Sequence, residues 1–134
     1  MNKELSLLEQ LGFENVGKWS LENGSLNCKI EKHQNEYNIL YAFVSKDKIK
    51  YIGKSTNTLS KRIYQYMKPG PSQKTNIKNN KNIKELLMEG QEVQIWAFPN
   101  QEKLYYREFP INIAAGLEDN LIAVVKPDWN DTGK

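Results

Sequence analysis

Hydrophobic and polar positions along the first part of the chain predict a helix followed by a β-hairpin. Leucines recur near helical spacing over residues 3–11, and Gly12 follows as a suitable helix C-cap. Apolar residues then alternate on both sides of Asn23-Gly24, a pair typical of tight hairpin turns. We therefore assign residues 1–37 to an N-terminal extension made of one helix and one hairpin.

The next segments predict the strands of the main domain. Residues 38–44 form a nearly continuous apolar run that suits a strand buried on both faces, and residues 49–53 alternate and should pair back against it. Residues 93–98 have the composition of a third strand. Because alternate residues of a strand share a face, Tyr41 and Tyr51 are expected on one side of the first strand pair.

Helices are predicted between and after these strands. Residues 55–58 offer helix N-caps, and a helix is predicted to follow them to about Met67, before a Pro-Gly-Pro sequence stops it. Residues 72–82 are polar and basic and are predicted as a mobile loop, leading into a short helix over residues 83–88. Amphipathic spacing predicts a last helix over residues 111–125, before Pro127.

Two of these helices place a charged residue among apolar ones. The positions three and four residues from Glu118 are Ala114, Ala115, Leu121 and Ile122. Burying an unpaired carboxylate is costly, so Glu118 should meet a cation or a metal, or else bend out to water. Arg62 shares a helix face with Leu59, Ile63 and Tyr66. It either binds a phosphate or carboxylate through paired hydrogen bonds, or lies along the surface with its stem buried.

Charge is unevenly distributed along the chain. Residues 46–84 contain eleven Lys or Arg residues and one acid, Asp47, so this segment carries a net charge of +10 and the rest carries −7. A polyanion such as nucleic acid would be drawn to the basic segment, although a solvated lysine-rich surface has the same composition. The chain has 134 residues, enough for one domain, and shows neither a membrane-spanning run nor a signal peptide.

Several kinds of chemistry are excluded by residue usage. Cys28 is the single cysteine, which rules out an intrachain disulfide and suits a reducing, cytoplasmic location; in a strand-like stretch it is a weak nucleophile candidate. His33 is the single histidine, so a histidine-rich metal site is excluded. The sequence contains no HExxH, paired CxxC, Walker-type glycine loop or GxSxG motif.

Six residues follow one another in an order that resembles the GIY-YIG nuclease family. Ile39-Leu40-Tyr41 and Tyr51-Ile52-Gly53 are similar to the paired motifs that give the family its name, and their tyrosines are ten positions apart. The set is Tyr41, Tyr51, Arg62, Tyr66, Glu118 and Asn130. The resemblance covers residues 38–130 and is nearest to stand-alone bacteriophage and restriction-type members. Ile39 replaces the glycine of the first motif, and Tyr66 stands where some members have histidine.

This resemblance implies both a fold and an activity. The fold is an α+β core over residues 38–134, with a three-stranded antiparallel sheet flanked by helices. The activity is metal-dependent endonucleolytic cleavage of double-stranded DNA, of the restriction or phage type. Tyr41 would be the general base that activates water. Because a free tyrosine has a pKa of ~10, its phenolate would need stabilisation by Arg62, Lys54 or a bound cation.

The resemblance implies roles for the other motif residues. Glu118 would ligate one divalent cation, Mg²⁺ or Mn²⁺, and water and phosphate oxygens would complete the coordination. Arg62 would bind the scissile phosphate and its developing charge. Tyr51 and Tyr66 would orient the phosphate or the water, and Asn130 would support the site from the C-terminal tail.

Lysines of the basic segment are the predicted contacts to the DNA backbone, and they should give a steep salt dependence. The candidates are Lys54, Lys61, Lys74, Lys78 and Lys81. Because one such site cuts one strand, a homodimer or larger homo-oligomer is expected, and residues 1–37 could serve DNA contact or assembly. Two other hypotheses stay open: a non-catalytic DNA-binding or regulatory module on the same fold, and a domain whose N-terminal helix and hairpin bind a protein.

Overall fold

The computed structural model describes residues 3–99 and 104–130. Residues 1–2 of the predicted N-terminal extension, and residues 100–103 and 131–134 of the predicted core, lie outside the described part. The described residues form an α+β fold. Its elements are α1 (Lys3–Leu11), β1 (Glu14–Glu22), β2 (Ser25–Ile30), β3 (Ile39–Ser45), β4 (Lys48–Ser55), α2 (Leu59–Met67), α3 (Lys74–Met88), β5 (Gln94–Phe98), β6 (Leu104–Tyr106), β7 (Phe109–Ile111) and α4 (Ile113–Val125).

The main sheet has five antiparallel strands in the order β2-β1-β5-β3-β4. The prediction of three strands was therefore wrong in number. The predicted N-terminal hairpin is present, with positive φ angles of 53° at Asn23 and 79° at Gly24, as a tight hairpin turn requires. It joins the sheet because β1 pairs with β5, for example Lys18 with Gln94. A pairing between segments so far apart in sequence leaves no local signal.

The sheet is the middle layer between two groups of helices. Odd-numbered residues of β3, such as Tyr41 and Phe43, pack in one apolar cluster with buried residues of α2 and α3. Even-numbered residues, such as Leu40 and Ala42, pack in a second cluster with residues of α1 and α4. All of β3 is buried, as its unbroken apolar run predicted. Each fully buried Leu, Ile or Phe side chain contributes about 1.5–3 kcal/mol to this core.

Residues 74–88 form α3, so the prediction of a mobile loop over residues 72–82 was wrong. Its buried positions include two asparagines, Asn76 and Asn79, together with Ile83. Polar residues at core-facing positions removed the apolar periodicity by which an amphipathic helix is identified.

The other predicted helices form close to their expected positions. Thr58 caps α2, because its side chain accepts a hydrogen bond from the Lys61 N–H at 3.3 Å. Helix α4 starts at Ile113, after Asn112, whose side chain accepts from the Ala115 N–H at 3.2 Å. The preceding β6–β7 hairpin was not predicted, and all its strand residues are exposed. Within the described ranges, no helix is long and apolar enough to cross a membrane.

Candidate active site

Two buried tyrosines and one arginine form a hydrogen-bonded chain on the α2 side of the sheet. The hydroxyls of Tyr41 and Tyr66 are 2.6 Å apart, and both side chains are fully buried. The Arg62 Nη2 donates to the Tyr66 hydroxyl at 2.8 Å. Strand β3 positions Tyr41, and one turn of α2 separates Arg62 from Tyr66. The structure therefore brings together three of the residues predicted for the site.

Arg62 is held from several directions. Its Cζ lies 4.3 Å from the centroid of the Tyr66 ring, a cation–π contact. Its Nη1 donates to the Gln65 Oε1 and to the Asn76 Oδ1, both at 2.9 Å. Asn76 comes from α3, and sequence reasoning missed it because its segment was predicted as a loop.

Aromatic rings form one wall of the site. Tyr51 lies with its ring centroid 6.5 Å from that of Tyr41 and 5.7 Å from that of Phe43. Tyr41 and Tyr51 are therefore on one face of the β3–β4 hairpin, as strand alternation predicted. Gly53 pairs with Tyr41 across the hairpin, and a Cβ atom there would lie 2.6 Å from the Tyr41 Oη.

Burial dominates the ionisation of the two tyrosines in the hydrogen-bonded chain. It raises the pKa of Tyr41 well above its ordinary value, and the Arg62 charge and the Tyr66 hydrogen bond only partly oppose this effect. Burial also raises the pKa of Tyr66. Both phenols are therefore protonated at neutral pH in the free protein. The stabilised phenolate that a general base needs is not present in this state.

Asn130 fixes the backbone of the edge strand β4. Its Oδ1 accepts from the Ile52 N–H and its Nδ2 donates to the Ile52 carbonyl, both at 2.9 Å. The Trp129 N–H donates to the Lys50 carbonyl at 2.9 Å, so the chain after α4 lies along β4. Ile52 stands between Tyr51 and Gly53 in the sequence. Asn130 thus acts on the backbone that carries the aromatic wall.

Glu118 lies on α4, on the opposite side of the sheet from α2. It is half-buried, one turn from the buried residues Ala114 and Leu121. Burial raises the pKa of its carboxyl group, Lys54 opposes this effect, and Asp119 adds to it. Lys54 is the residue after Gly53 on β4. The convergence of Glu118 and Arg62 around one phosphate stays a prediction.

Metal ligands are few in the described part of the chain. No group of three or more His, Cys, Asp or Glu side chains there could hold a metal ion. Glu118 is half-buried and the Lys54 charge acts on its carboxyl group, and a carboxylate oxygen is a ligand that hard cations prefer. Burial raises the pKa of the Cys28 thiol to about 11, which argues against a nucleophilic role for it.

The predicted DNA-contacting lysines occupy two helices and a strand. Lys74, Lys78 and Lys81 are exposed and follow one face of α3 at spacings of four and three residues. The buried Asn76 is on the opposite face of this helix, so the three lysines point away from Arg62. Lys61 is exposed on α2. Contact of these lysines with DNA phosphates stays a prediction.

Comparisons with known proteins identify structures with this fold. No protein-family model matches the sequence, and no curated protein matches it. The E118A mutant of bacteriophage T4 EndoII is 25% identical, with a TM-score of 0.73 over 96% of this chain and 99% of that one. The restriction endonuclease HPY188I, in complex with product DNA, is 20% identical, with a TM-score of 0.56 over 91% of this chain and 77% of that one. The chain therefore has a nuclease fold, shared with a phage endonuclease and a restriction endonuclease.

Proposed function

We propose that this protein is a DNA endonuclease of the GIY-YIG class, which hydrolyses phosphodiester bonds in double-stranded DNA. The observation that carries the proposal is the chain of hydrogen bonds from Arg62 through Tyr66 to Tyr41, buried within a fold shared with two endonucleases. The presence of product DNA in the HPY188I complex supports DNA as the substrate.

Arg62 is the proposed ligand of the scissile phosphate. A guanidinium group has five N–H donors. Within the described residues, Gln65, Asn76 and Tyr66 accept three hydrogen bonds from Arg62. Two N–H groups remain, one on Nε and one on Nη2. Because the Tyr41 hydroxyl also interacts with the guanidinium, at least one of them is open to a charge-assisted hydrogen bond with a phosphate oxygen. Because the guanidinium is already ordered, little side-chain freedom is lost when the phosphate binds.

Tyr41 is the proposed general base, and Tyr66 is the group that stabilises its charged form. Arg62 donates to Tyr66, which can in turn donate to Tyr41. A negative charge on Tyr41 is therefore favoured by a hydrogen bond and by the charge of Arg62. Since burial outweighs these effects in the free protein, only a minor phenolate fraction accepts the proton of the attacking water at neutral pH.

Glu118 is the proposed ligand of one Mg²⁺ or Mn²⁺ ion. A single carboxylate suits a cation that takes its other ligands from water and substrate phosphates. When bound, the cation would supply positive charge to the phosphate and the leaving oxygen. Because α2 and α4 lie on opposite faces of the sheet, the scissile phosphate must lie at the β4 edge near Gly53 and Lys54 for both groups to reach it.

A non-catalytic DNA-binding module on the same fold is the second candidate. The raised pKa of Tyr41 favours it, because a neutral phenol is a poor base.

Cleavage of both strands by the endonuclease would require two sites, so we also propose a homodimer or larger homo-oligomer.

Cleavage of supercoiled plasmid DNA with Mg²⁺, with and without a chelator, separates the two candidates. An endonuclease cuts only with the metal, and a binding module shifts the mobility of the DNA without cutting it. We expect Glu118→Ala to slow single-turnover cleavage by at least about 100-fold with little change in DNA affinity. Asp119→Ala, which removes the neighbouring exposed carboxylate, is the control and should retain the rate. Equal cleavage by both variants would refute the role of Glu118.

A further inference from the structure

We propose that Asn76 is a positioning residue for Arg62, which orients the guanidinium so that its free N–H donors face the substrate phosphate. This inference rests on the proposed function, because it presumes that Arg62 binds a phosphate. It concerns α3, a helix that contributes none of the six motif residues.

Asn76 is itself held in one orientation. Its side chain is buried, with 6% exposed, and its Oδ1 accepts from the Arg62 Nη1 at 2.9 Å. Its Nδ2 donates to the Gln73 Oε1 at 3.0 Å, and this oxygen also accepts from the Gly70 N–H at 2.8 Å. Because the amide nitrogen is engaged by Gln73, the amide oxygen is the atom that faces Arg62.

Asn76 restricts Arg62 in a way that its partners on α2 do not. Gln65 and Tyr66 belong to the same helix as Arg62, so they fix the side chain only relative to α2. Asn76 belongs to α3 and therefore ties the guanidinium to a second rigid element. Catalysis is sensitive to such placement, since a displacement of about 1 Å can cost about 100-fold in rate.

The chemistry of an amide suits this role better than that of a carboxylate. An amide oxygen accepts the Arg62 hydrogen bond without neutralising the guanidinium, which keeps its full charge for the phosphate. An aspartate at position 76 would pair with Arg62 but compete with the phosphate for its charge, and its second oxygen would face the Gln73 Oε1 without a proton to donate. Asn76→Asp therefore removes the neutral acceptor, and Asn76→Ala removes the acceptor altogether.

Single-turnover cleavage and DNA affinity of three variants provide the first test. We expect Asn76→Ala to slow cleavage by about 10- to 100-fold with little change in affinity, and Asn76→Asp to slow it at least as much. Asn80→Ala is the matched control, because Asn80 also joins α3 to α2 but donates its hydrogen bonds to the Tyr66 and Met67 carbonyls. Equal rates for Asn76→Ala and Asn80→Ala would overturn the inference.

A double-mutant cycle then separates positioning from general packing. In an Arg62→Ala background, Asn76→Ala should have no further effect on the rate, because the group that it positions is absent. Asn80→Ala should have the same small effect in both backgrounds. An undiminished effect of Asn76→Ala without Arg62 would contradict the positioning role.

Nuclear magnetic resonance of the Arg62 guanidinium tests the inference without any cleavage. Hydrogen bonds to Nη1 hinder rotation about the Cζ–Nη1 bond, and Gln65 keeps one of the two bonds when Asn76 is replaced by alanine. Separate Nη1 proton signals are therefore expected in the wild type and in Asn76→Asp, and faster exchange between them in Asn76→Ala. Averaged signals in the wild type would overturn the inference. If the wild type shows ordered signals but does not cut DNA, the proposed function fails while the contact between Asn76 and Arg62 stands.

Discussion

Gly53 leaves the space that the Tyr41 hydroxyl occupies. The two residues face each other across the β3–β4 hairpin, and a Cβ atom on Gly53 would lie 2.6 Å from both Cζ and Oη of Tyr41 and 2.9 Å from the Tyr51 Cε2. Real Cβ atoms essentially never approach other atoms so closely. Gly53, the glycine of the second motif, is therefore needed because the Tyr41 side chain lies where a Cβ atom would be. It lies within strand β4 and does not form a turn.

A methyl group at Gly53 should displace the proposed base. Tyr41 is fully buried and bonded to Tyr66, so it cannot swing into solvent to make room. We expect Gly53→Ala to destabilise the fold by about 1–3 kcal/mol and to slow single-turnover cleavage by about 100-fold. Gly116→Ala is the control, because a Cβ atom at that position of α4 meets no other atom within 4 Å. Wild-type cleavage by Gly53→Ala would show that the placement of Tyr41 is unimportant.

The raised pKa of Tyr41 determines the expected pH dependence of cleavage. If its phenolate is the base, the active fraction grows about tenfold per pH unit below that pKa. The logarithm of the single-turnover rate should therefore rise with a slope near one from about pH 6 to about pH 9. Tyr66→Phe should keep this slope at a lower rate, because the hydrogen bond to the phenolate is lost. A wild-type rate that is independent of pH over this range would exclude Tyr41 as the base.

The same burial should make the folded state sensitive to alkali. Above the unfolded-state pKa of ~10, the unfolded chain loses the Tyr41 proton while the folded chain keeps it, so the free energy of unfolding falls as pH rises. The fall amounts to at most about 1.4 kcal/mol per pH unit for one group, and below pH ~10 the contribution is constant. We expect urea unfolding of Tyr41→Phe to show a shallower decline than the wild type. Tyr64→Phe, at an exposed tyrosine of α2, should leave the decline unchanged.

The sequence predicted the elements whose apolar pattern is local. Three such features are found in the structure, and each is encoded within a few residues. They are the unbroken apolar run of β3, the hairpin turn at Asn23-Gly24, and the position of Arg62 on the apolar face of α2. Strand alternation likewise placed Tyr41 and Tyr51 on one face.

Features that depend on distant partners could not be predicted in this way. The pairing of β1 with β5 joins segments about 80 positions apart and has no local signature. Helix α3 was missed because Asn76 and Asn79 occupy positions where a helix pattern requires apolar residues. Asn76 is buried and accepts a hydrogen bond from Arg62 on α2, a contact that the sequence of α3 alone cannot indicate.

The exposed lysines of α3 should account for part of the salt dependence of DNA binding. Lys74, Lys78 and Lys81 lie on the outer face of the helix, away from Arg62, so we expect them to neutralise phosphates that flank the proposed site. Each phosphate contact contributes about 0.9 to the slope of log affinity against log salt concentration. Replacing all three by alanine should therefore lower the slope by up to about 2.7 and leave the cleavage rate of saturated complexes unchanged.

A second lysine triplet provides the control for this measurement. Lys18, Lys29 and Lys32 are also exposed, but Lys18 lies 3.8 Å from Glu92 and Lys32 lies 3.5 Å from Glu14. Their charges are partly compensated, and Glu31 adds a further acid to the same surface. Replacing this triplet removes the same formal charge but should change the slope little. If both triple variants lower the slope equally, DNA responds only to net charge and α3 has no specific place in the interface.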